Sequence, residues 1–240
     1  MEKPKYNSPL VVGGFVGPGL VGIASVSYMI EQLGLHQVAH VKSQHIAPVA
    51  VFVGEKLRHP FRIYTNRSGD LVVIICEVPI DLEGLYEISS VLMDWLEEIH
   101  SKEIVILDGI PVRGIPEDRK AYCVAQEGKC KEIGGKGIEH APSAFIGGMG
   151  GSILNECLTR RTVGMSLLTP ASINLPDPGA VLTMIEALNS GFGLDISTKP
   201  LEENVAQYNE YLNTMAQQFK KLQGERAKRQ GGGEEVAMYG

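Results

Sequence analysis

The alternation of short apolar runs with helix-like stretches is the feature that most limits how this 240-residue chain can fold. Strand-like runs such as "SPLVVGGF", "LVVIICEVP" and "TVGMSLLTP" are separated by amphipathic stretches such as "EGLYEISSVLMDWLEEIH". The run "LVVIICEVP" is apolar on both faces, which is typical of a central strand. The alternation predicts an α/β fold, a β-sheet between helices. A hairpin predicted around "AYCVAQEGKCKEI" would make that sheet mixed rather than purely parallel.

Local signals predict where several elements begin and end. The helix that follows the first strand is predicted to end at Gly34, and the strand "EIVILDG" at Asp108. A later helix is predicted to start with Asp177 as its N-cap and Pro178 at its first position. The segment "SAFIGGMGGSILNECLTRR" predicts a strand, a glycine turn and a helix.

Charge and hydropathy exclude several classes of partner. The formal net charge is −6, which argues against nucleic acid or an anionic membrane as the main partner. No stretch approaches the length of apolar sequence that spans a bilayer, and "MEKPKYNSPL" lacks the apolar core of a signal peptide. We therefore expect a cytoplasmic protein that binds neither nucleic acid nor membrane.

Two glycine-rich motifs suggest phosphate binding, but both have a simpler reading. Gly17, Gly19 and Gly22 match the dinucleotide-binding pattern G-x-G-x-x-G between a strand and a helix. The next strand, in "HQVAHVKSQH", has no acidic residue to hold a ribose, so a tight turn is favoured. The free amides at this helix start could still bind an anion. The motif "GGMGG" lacks the Lys-Ser/Thr of a P-loop, and packing against the sheet or another subunit is favoured.

The chain lacks recognisable catalytic and metal-binding motifs. The six histidines form no H-E-x-x-H and the cysteines no C-x-x-C, so we expect no metal and no cofactor. Glu77 and Asp108 follow strands, where α/β enzymes keep catalytic groups, but no nucleophile motif accompanies them. We expect structural roles for both, and no enzyme. Cys76 is predicted to be buried, whereas a disulfide between Cys123 and Cys130 is left open.

The C-terminal part differs from the rest of the chain. From residue 201 apolar residues recur at alternating steps of four and three, at Leu201, Val205, Tyr208, Leu212, Met215, Phe219 and Leu222. This heptad pattern predicts a helix that packs along another helix and joins copies of the chain. A terminal helix packed on its own sheet is the alternative. The predicted organisation is an α/β domain over 1–200, a helix over 201–230 and a flexible tail over 231–240.

Three motifs, in their order and spacing, resemble the proteasome assembly chaperone family in its archaeal branch. They are "VGPGLVGIASVSYMIEQLGL", "FIGGMGGSIL" and "LPDPGAVLTMIEALNSGFGLDIS", and the resemblance covers roughly Ser8 to Leu201. It implies a mixed sheet between helices, similar to nucleoside phosphorylases, in proteins that are not known for catalysis.

The resemblance also gives the end of the chain a specific role. Proteasome activators and assembly factors carry a C-terminal hydrophobic–Tyr–any-residue motif, which docks between neighbouring α subunits of the 20S proteasome. Met238, Tyr239 and Gly240 fit it, with Gly240 supplying the terminal carboxylate. The implied partners are the α ring or free α subunits, and further copies of this chain in a homo-oligomer.

Several alternatives remain open at the level of sequence. The outcome of docking is either assembly or gate opening, and the tail could instead bind a sister protein of the same family. An enzyme of nucleoside phosphorylase or hydrolase type would use the turn at Gly13–Gly22 for phosphate. Glu77 or Asp108 would then bind a purine or act as a base.

Overall fold

A computed structural model describes residues 4–53, 55–116, 119–126, 128–134, 137–173 and 176–206. The strands are β1 (Leu10–Gly14), β2 (His36–His40), β3 (Val51–Val53), β4 (Lys56–Arg58), β5 (Phe61–Thr65), β6 (Leu71–Cys76), β7 (Glu103–Val112), β8 (Ala121–Ala125), β9 (Ile138–His140) and β10 (Gly164–Ser172). The helices are α1 (Val21–Gln32), α2 (Leu85–Glu98), α3 (Lys129–Ile133), α4 (Gly148–Arg160) and α5 (Pro178–Phe192). Short 3₁₀ turns, Pro18–Leu20 and Leu82–Gly84, precede α1 and α2.

Eight of these strands form one mixed sheet, in the order β2-β5-β6-β1-β7-β10-β8-β9. The four central strands, β6, β1, β7 and β10, run parallel to one another. Antiparallel pairing appears on both sides of this centre, at β5–β6 and at β10–β8. β3 and β4 form a separate hairpin. The predicted α/β fold with a mixed sheet is confirmed.

Successive side chains of the central strands pack against two helical layers, one on each face of the sheet. Val11, Ile74 and Ile106 belong to one buried cluster with residues of α2 and α4. Their neighbours point to the opposite face because successive side chains alternate along a strand. There α1 and α5 pack side by side. The sheet is therefore covered on both faces, as the apolar run of β6 predicts: all six of its residues are buried.

The signals at the ends of two helices are confirmed. The Asp177 carboxylate accepts a hydrogen bond from the amide of Ala180, which places it at the N-cap of α5. Gly193, with φ of 68°, follows the last residue of that helix. At the end of α1, Gly34 also has a positive φ, 57°. Glycine adopts this left-handed conformation at no steric cost, so both positions end helices.

Two predicted strand boundaries are wrong. β7 continues past Asp108 to Val112 because β10 runs beside it as far as the pair of Ser172 with Val112. The predicted hairpin around "AYCVAQEGKCKEI" does not form, since β8 pairs with β10 and β9 and is followed by α3.

The segment around "GGMGG" is helical rather than a strand followed by a turn. α4 begins at Gly148, so Gly150 and Gly151 lie within its first turn. A Cβ on Gly150 would lie 2.8 Å from the side chain of Ile106, and one on Gly151 would overlap the carbonyl of Ile146. The glycines therefore let α4 approach the sheet and the preceding chain closely. The packing interpretation of this motif is confirmed for Gly150.

The close approach of α1 to the sheet depends on a second pair of glycines. A Cβ on Gly14 of β1 would overlap the carbonyl of Gly22 in α1. A Cβ on Gly22 would lie 2.5 Å from the carbonyl oxygen of Leu107 in β7. Backbone atoms cannot rotate out of the way as side chains can, so neither position has room for a larger residue.

The chain divides into a compact unit, Met1–Thr198, and a second unit that starts at Lys199. In the second unit residues 199–206 are helical. The predicted division at residue 200 and the predicted tail stay predictions. Among the residues described, the helices are too short or too polar to cross a membrane.

We expect Gly22→Ala to destabilise the fold by about 2 kcal/mol or more, because its new methyl group would meet the backbone of β7. The measurement is the free energy of unfolding from urea denaturation followed by circular dichroism. Ser27→Ala, at an exposed position of the same helix, is the control and should change the free energy by less than about 0.5 kcal/mol. Equal stability of the two variants would contradict the proposed packing role of Gly22.

Candidate functional site

The segments predicted to bind partners lie mostly outside the described residues. The docking motif Met238–Gly240 is outside them, as are five seam positions: Tyr208, Leu212, Met215, Phe219 and Leu222. Leu201 and Val205 lie in the described helix, where Leu201 is buried and Val205 is half-buried. The docking and oligomerisation roles of these residues therefore stay predictions.

The glycine turn after β1 lies against the ends of neighbouring strands. Gly17 is extended and touches the Asp108 carboxylate, so that a Cβ there would overlap Oδ1 of Asp108. Gly19 has a φ of 61°, and a Cβ on it would lie 2.8 Å from the Cβ of Ala171. With the contact of Gly22 to Leu107, each glycine of the motif has a packing reason. Anion binding at Gly17, Gly19 and Gly22 stays a prediction.

A buried carboxylate fixes the other side of this turn. Asp177 is 3% exposed and accepts hydrogen bonds from the amides of Ser172 and Ala180, at 3.2 and 3.1 Å. Its Oδ1 also lies 2.8 Å from Nη2 of Arg119, and its own amide donates to the carbonyl of Gly19. A buried charge is tolerated when it is paired and hydrogen-bonded in this way. Asp177 thus ties β10, α5 and the glycine turn together.

Asp108 lies beneath the turn in a partly buried position. Its Oδ1 accepts a 2.8 Å hydrogen bond from the amide of Gly109. Burial disfavours the charged form and raises the pKa of Asp108 to about 6, although the hydrogen bond from Gly109 opposes this shift. Perturbed carboxyl groups of this kind occur at functional sites and also in structural positions.

Glu77, the other carboxylate singled out from the sequence, is engaged by an arginine. Its Oε2 lies 2.6 Å from Nη1 of Arg62, a residue that is only 3% exposed. Arg62 also donates from Nε to the hydroxyl of Tyr64 at 2.9 Å. Glu77 therefore neutralises a buried guanidinium between β5 and β6, which agrees with the predicted structural role.

The cysteines and histidines give the described residues no metal-ligating cluster of three or more. Cys123 and Cys130 form a disulfide that links β8 to α3, which resolves the alternative left open by the sequence. Cys76 and Cys157 are buried free thiols, and desolvation raises their pKa values to about 11 and about 12. Since the thiolate is the reactive form, these two thiols are chemically inert at neutral pH.

The structure adds a surface that the sequence reading missed, an apolar groove between α2 and α4. It has a volume of about 610 Å³, and its larger apolar lining residues are Leu82, Leu85, Tyr86, Ile146, Leu154 and Leu158. A smaller cavity of about 180 Å³ adjoins it at the ends of β1 and β6 and shares Leu82 and Leu85. One signal for the groove was present in the sequence, since Tyr86 lies off the apolar stripe that predicted α2.

The floor and walls of the groove are held by hydrogen bonds between the two helices. The hydroxyl of Ser152 in α4 lies 2.8 Å from that of Ser89 in α2. Arg160 of α4 contacts Asp94 of α2 at 2.6 Å and donates to the carbonyl of Ser90. The groove is thus formed by the fold itself and does not need a partner to shape it.

Comparison with solved structures identifies proteins with the same fold. A protein of unknown function from Thermoplasma acidophilum is 50% identical, with a TM-score of 0.78 over 93% of this chain and 92% of that one. PbaA of Pyrococcus furiosus, an archaeal homolog of proteasome-assembly chaperone, is 22% identical, with a TM-score of 0.82 over 94% of each chain. PbaB of the same organism, an archaeal proteasome activator, is 21% identical, with a TM-score of 0.78 over 90% of this chain and 96% of that one.

The model of the PAC2 family matches residues 11–216, which include α1 to α5 and the whole sheet except Leu10. Because this match spans most of the sequence, the chain belongs to the PAC2 family.

Proposed function

We propose that this protein is a non-catalytic proteasome assembly chaperone or activator homologue of the cytoplasm. It acts as a homo-oligomer whose C-terminal Met238-Tyr239-Gly240 tails dock on the α ring of the 20S proteasome. The observation that carries the proposal is the combination of the PAC2 fold with this terminal tripeptide. PbaA and PbaB, which share the fold, are described as a proteasome-assembly chaperone homolog and a proteasome activator.

The chemistry of the tail supports docking into a pocket of another protein. Tyr239 offers a large apolar face and a hydroxyl group at a small cost in side-chain entropy. The carboxylate of Gly240 gives the same tip a negative charge that a lysine could bind. Glu234 and Glu235 would face a basic rim around such a pocket. A free chain end that carries an aromatic residue suits insertion between subunits.

Several weak tails on one particle would bind far more strongly than one tail. Gly231, Gly232 and Gly233 precede the tail, and glycine-rich linkers behave as flexible chains. Once one tail has docked, the others are held near further α subunits at a high effective concentration. Homo-oligomerisation therefore multiplies the affinity of a short motif without requiring any new contact.

The alternative, an enzyme of nucleoside phosphorylase or hydrolase type, is favoured only by the raised pKa of Asp108, which lies within β7 and not at its end. Three observations weigh against it. Gly17 covers Oδ1 of Asp108, and Glu77 is paired with Arg62. The cavity at the ends of β1 and β6 is lined by apolar side chains, such as Phe15 and Val78, and not by either carboxylate.

Removal of Met238–Gly240, or Tyr239→Ala, should abolish the retention of this protein on immobilised 20S α rings. The reason is that the tyrosine ring and the terminal carboxylate are the proposed anchors. The measurement is a pull-down of the full chain beside a chain ending at Ala237, together with the native mass of each.

Val236→Ser is the matched control for this experiment, because it changes an apolar tail residue outside the motif and should bind like the unmodified chain. Undiminished binding of the chain ending at Ala237 would refute the proposed role of the tail. Binding only to a co-expressed PAC2-family protein would instead favour the hetero-complex.

Asp108→Asn should become more stable relative to the unmodified protein as the pH rises from about 4 to 7. The folded-state pKa of about 6 lies above the ordinary value of 3.8, so the favourable effect of the protonated carboxyl is complete below about pH 4. It is lost as the pH rises through 6. We expect the difference in unfolding free energy to shift by roughly 1 to 3 kcal/mol across this range. Urea denaturation at several pH values measures it, and a constant difference would contradict the burial argument.

A further inference from the structure

The two helical layers of the sheet differ in what they expose. In α1 and α5 every described leucine, isoleucine, valine and aromatic side chain is buried or half-buried. In the α2–α4 layer, Tyr86 of α2 and Leu158 of α4 are 71% and 57% exposed. The segments before these two helices add Leu82 at 83% and Phe145 at 108%, whereas those before α1 and α5 expose Leu20 and Ile173 less, at 41% and 53%. Such a difference between the two faces of one sheet calls for a partner on the second face.

From this surface we infer that the α2–α4 groove, with Phe145 beside it, forms an interface between two copies of this chain. The inference deepens the proposed function, because it rests on the homo-oligomer and assigns the surface that holds it. In the arrangement that the shape supports, Phe145 of each copy enters the groove of the other and contacts Leu158 there.

The shape of the surface favours a second copy over an unrelated partner. A groove lined by Leu85, Leu154 and Leu158 lies next to a side chain, Phe145, that is fully exposed. Ala144 and Ile146, the neighbours of Phe145 in sequence, both line the groove. A projection and a recess on one face are what a twofold interface requires, since each residue contact then occurs twice.

The area of the patch agrees with a stable dimer. The two aromatic residues, Tyr86 and Phe145, would bury roughly 150–250 Å² each, and with Leu82 and Leu158 the exposed side chains present on the order of 600 Å². This is at the upper end of the largest apolar patch on a typical monomer, about 300–600 Å². The adjoining cavity extends the apolar surface to Val16, which is 42% exposed. A standard interface buries about 800 Å² per partner, so this surface would form most of one.

Charge also permits two copies to meet at this face. The chain carries a net charge of −6, so contact between randomly chosen surfaces would bring like charges together. The groove lining contains no charged side chain. Of its polar lining residues, Ser152 already bonds to Ser89 and to the carbonyl of Leu85. The polar groups left to desolvate on association are the side-chain amide of Asn155 and the hydroxyl of Tyr86.

Leu158→Glu and Phe145→Glu should each convert the assembled full chain to a species of lower mass. Each would place a charge in an apolar interface, and we expect the dissociation constant to rise by roughly a hundredfold. The measurement is light scattering after size exclusion over a range of protein concentrations, with circular dichroism to verify folding. Both positions are exposed, so the monomer should fold.

Leu57→Glu is the matched control, because Leu57 is an equally exposed apolar residue, at 75%, on the β3–β4 hairpin. It should leave the mass unchanged. An unmodified full chain that is monomeric overturns the inference. The inference is also overturned if Leu158→Glu leaves the mass of the assembly unchanged, or if Leu57→Glu lowers that mass while the groove variants do not.

A mixing experiment tests the contact itself. Phe145→Lys and Leu158→Glu should each fail to self-associate, but an equimolar mixture should assemble. In the mixed pair one contact is Lys with Glu and the other is native Phe145 with Leu158. Failure of the mixture, when both variants are folded, overturns the proposed pairing.

The result is separable from that of the tail experiment. Leu158→Glu leaves the tail Met238–Gly240 unchanged. Its effect on assembly is measured as the mass of the species in solution, independently of binding to the proteasome. An assembled chain that does not bind α rings would refute the proposed function and leave the interface standing.

Discussion

The backbone contact among β1, α1 and β7 is the constraint on which the rest of this structure depends. Gly22 of α1 lies against Gly14 of β1 and the carbonyl of Leu107 in β7. This contact places the helix directly over the centre of the sheet. The chain also turns sharply after β1, so that Gly17 lies against the carboxylate of Asp108. The carbonyl of Gly19 accepts a hydrogen bond from the amide of Asp177. The turn that could hold a phosphate in a dinucleotide-binding protein is thereby packed against β7 and β10.

The same glycine pattern illustrates why motif and function separate in this chain. A G-x-G-x-x-G turn serves a dinucleotide because glycine lets a phosphate approach the backbone. Here the atoms that approach belong to Asp108, Ala171 and Leu107. In both cases glycine is required because another group comes close to the backbone. That group is a phosphate in a dinucleotide-binding protein and part of the protein itself here. The absence of an acidic residue in the following strand indicated this from the sequence alone.

The parts of the fold that were predictable are those set by local chemistry. The all-apolar run of β6, the stripe of α2 and the Asp177 N-cap each act over a few residues, and each was identified. The errors occurred where distant strands decide the outcome. β7 extends beyond Asp108 because β10 continues beside it, and the segment after β8 forms α3 because β8 already has partners on both sides. Neither fact is visible from nearby residues.

The α2–α4 surface was missed for a related reason. The apolar stripe of α2 indicates only the buried side of the helix, through residues such as Leu92 and Leu96. Exposed Tyr86 and Leu158 lie on different helices and become one surface only when the sheet brings α2 and α4 together.

The partner-binding features that we propose are therefore a surface groove and the C-terminus rather than a polar site at the strand ends. Arg160 and the Ser89–Ser152 pair hold the groove in shape before any partner arrives. A preformed surface loses little conformational entropy on association, which favours assembly of a rigid core. In the proposed docking mode a glycine-linked tail would have the opposite property, since glycine-rich linkers can adjust to positions that a rigid core does not fix. A rigid interface would then set the number of tails, and the linkers would let several weak terminal motifs bind a symmetric ring together.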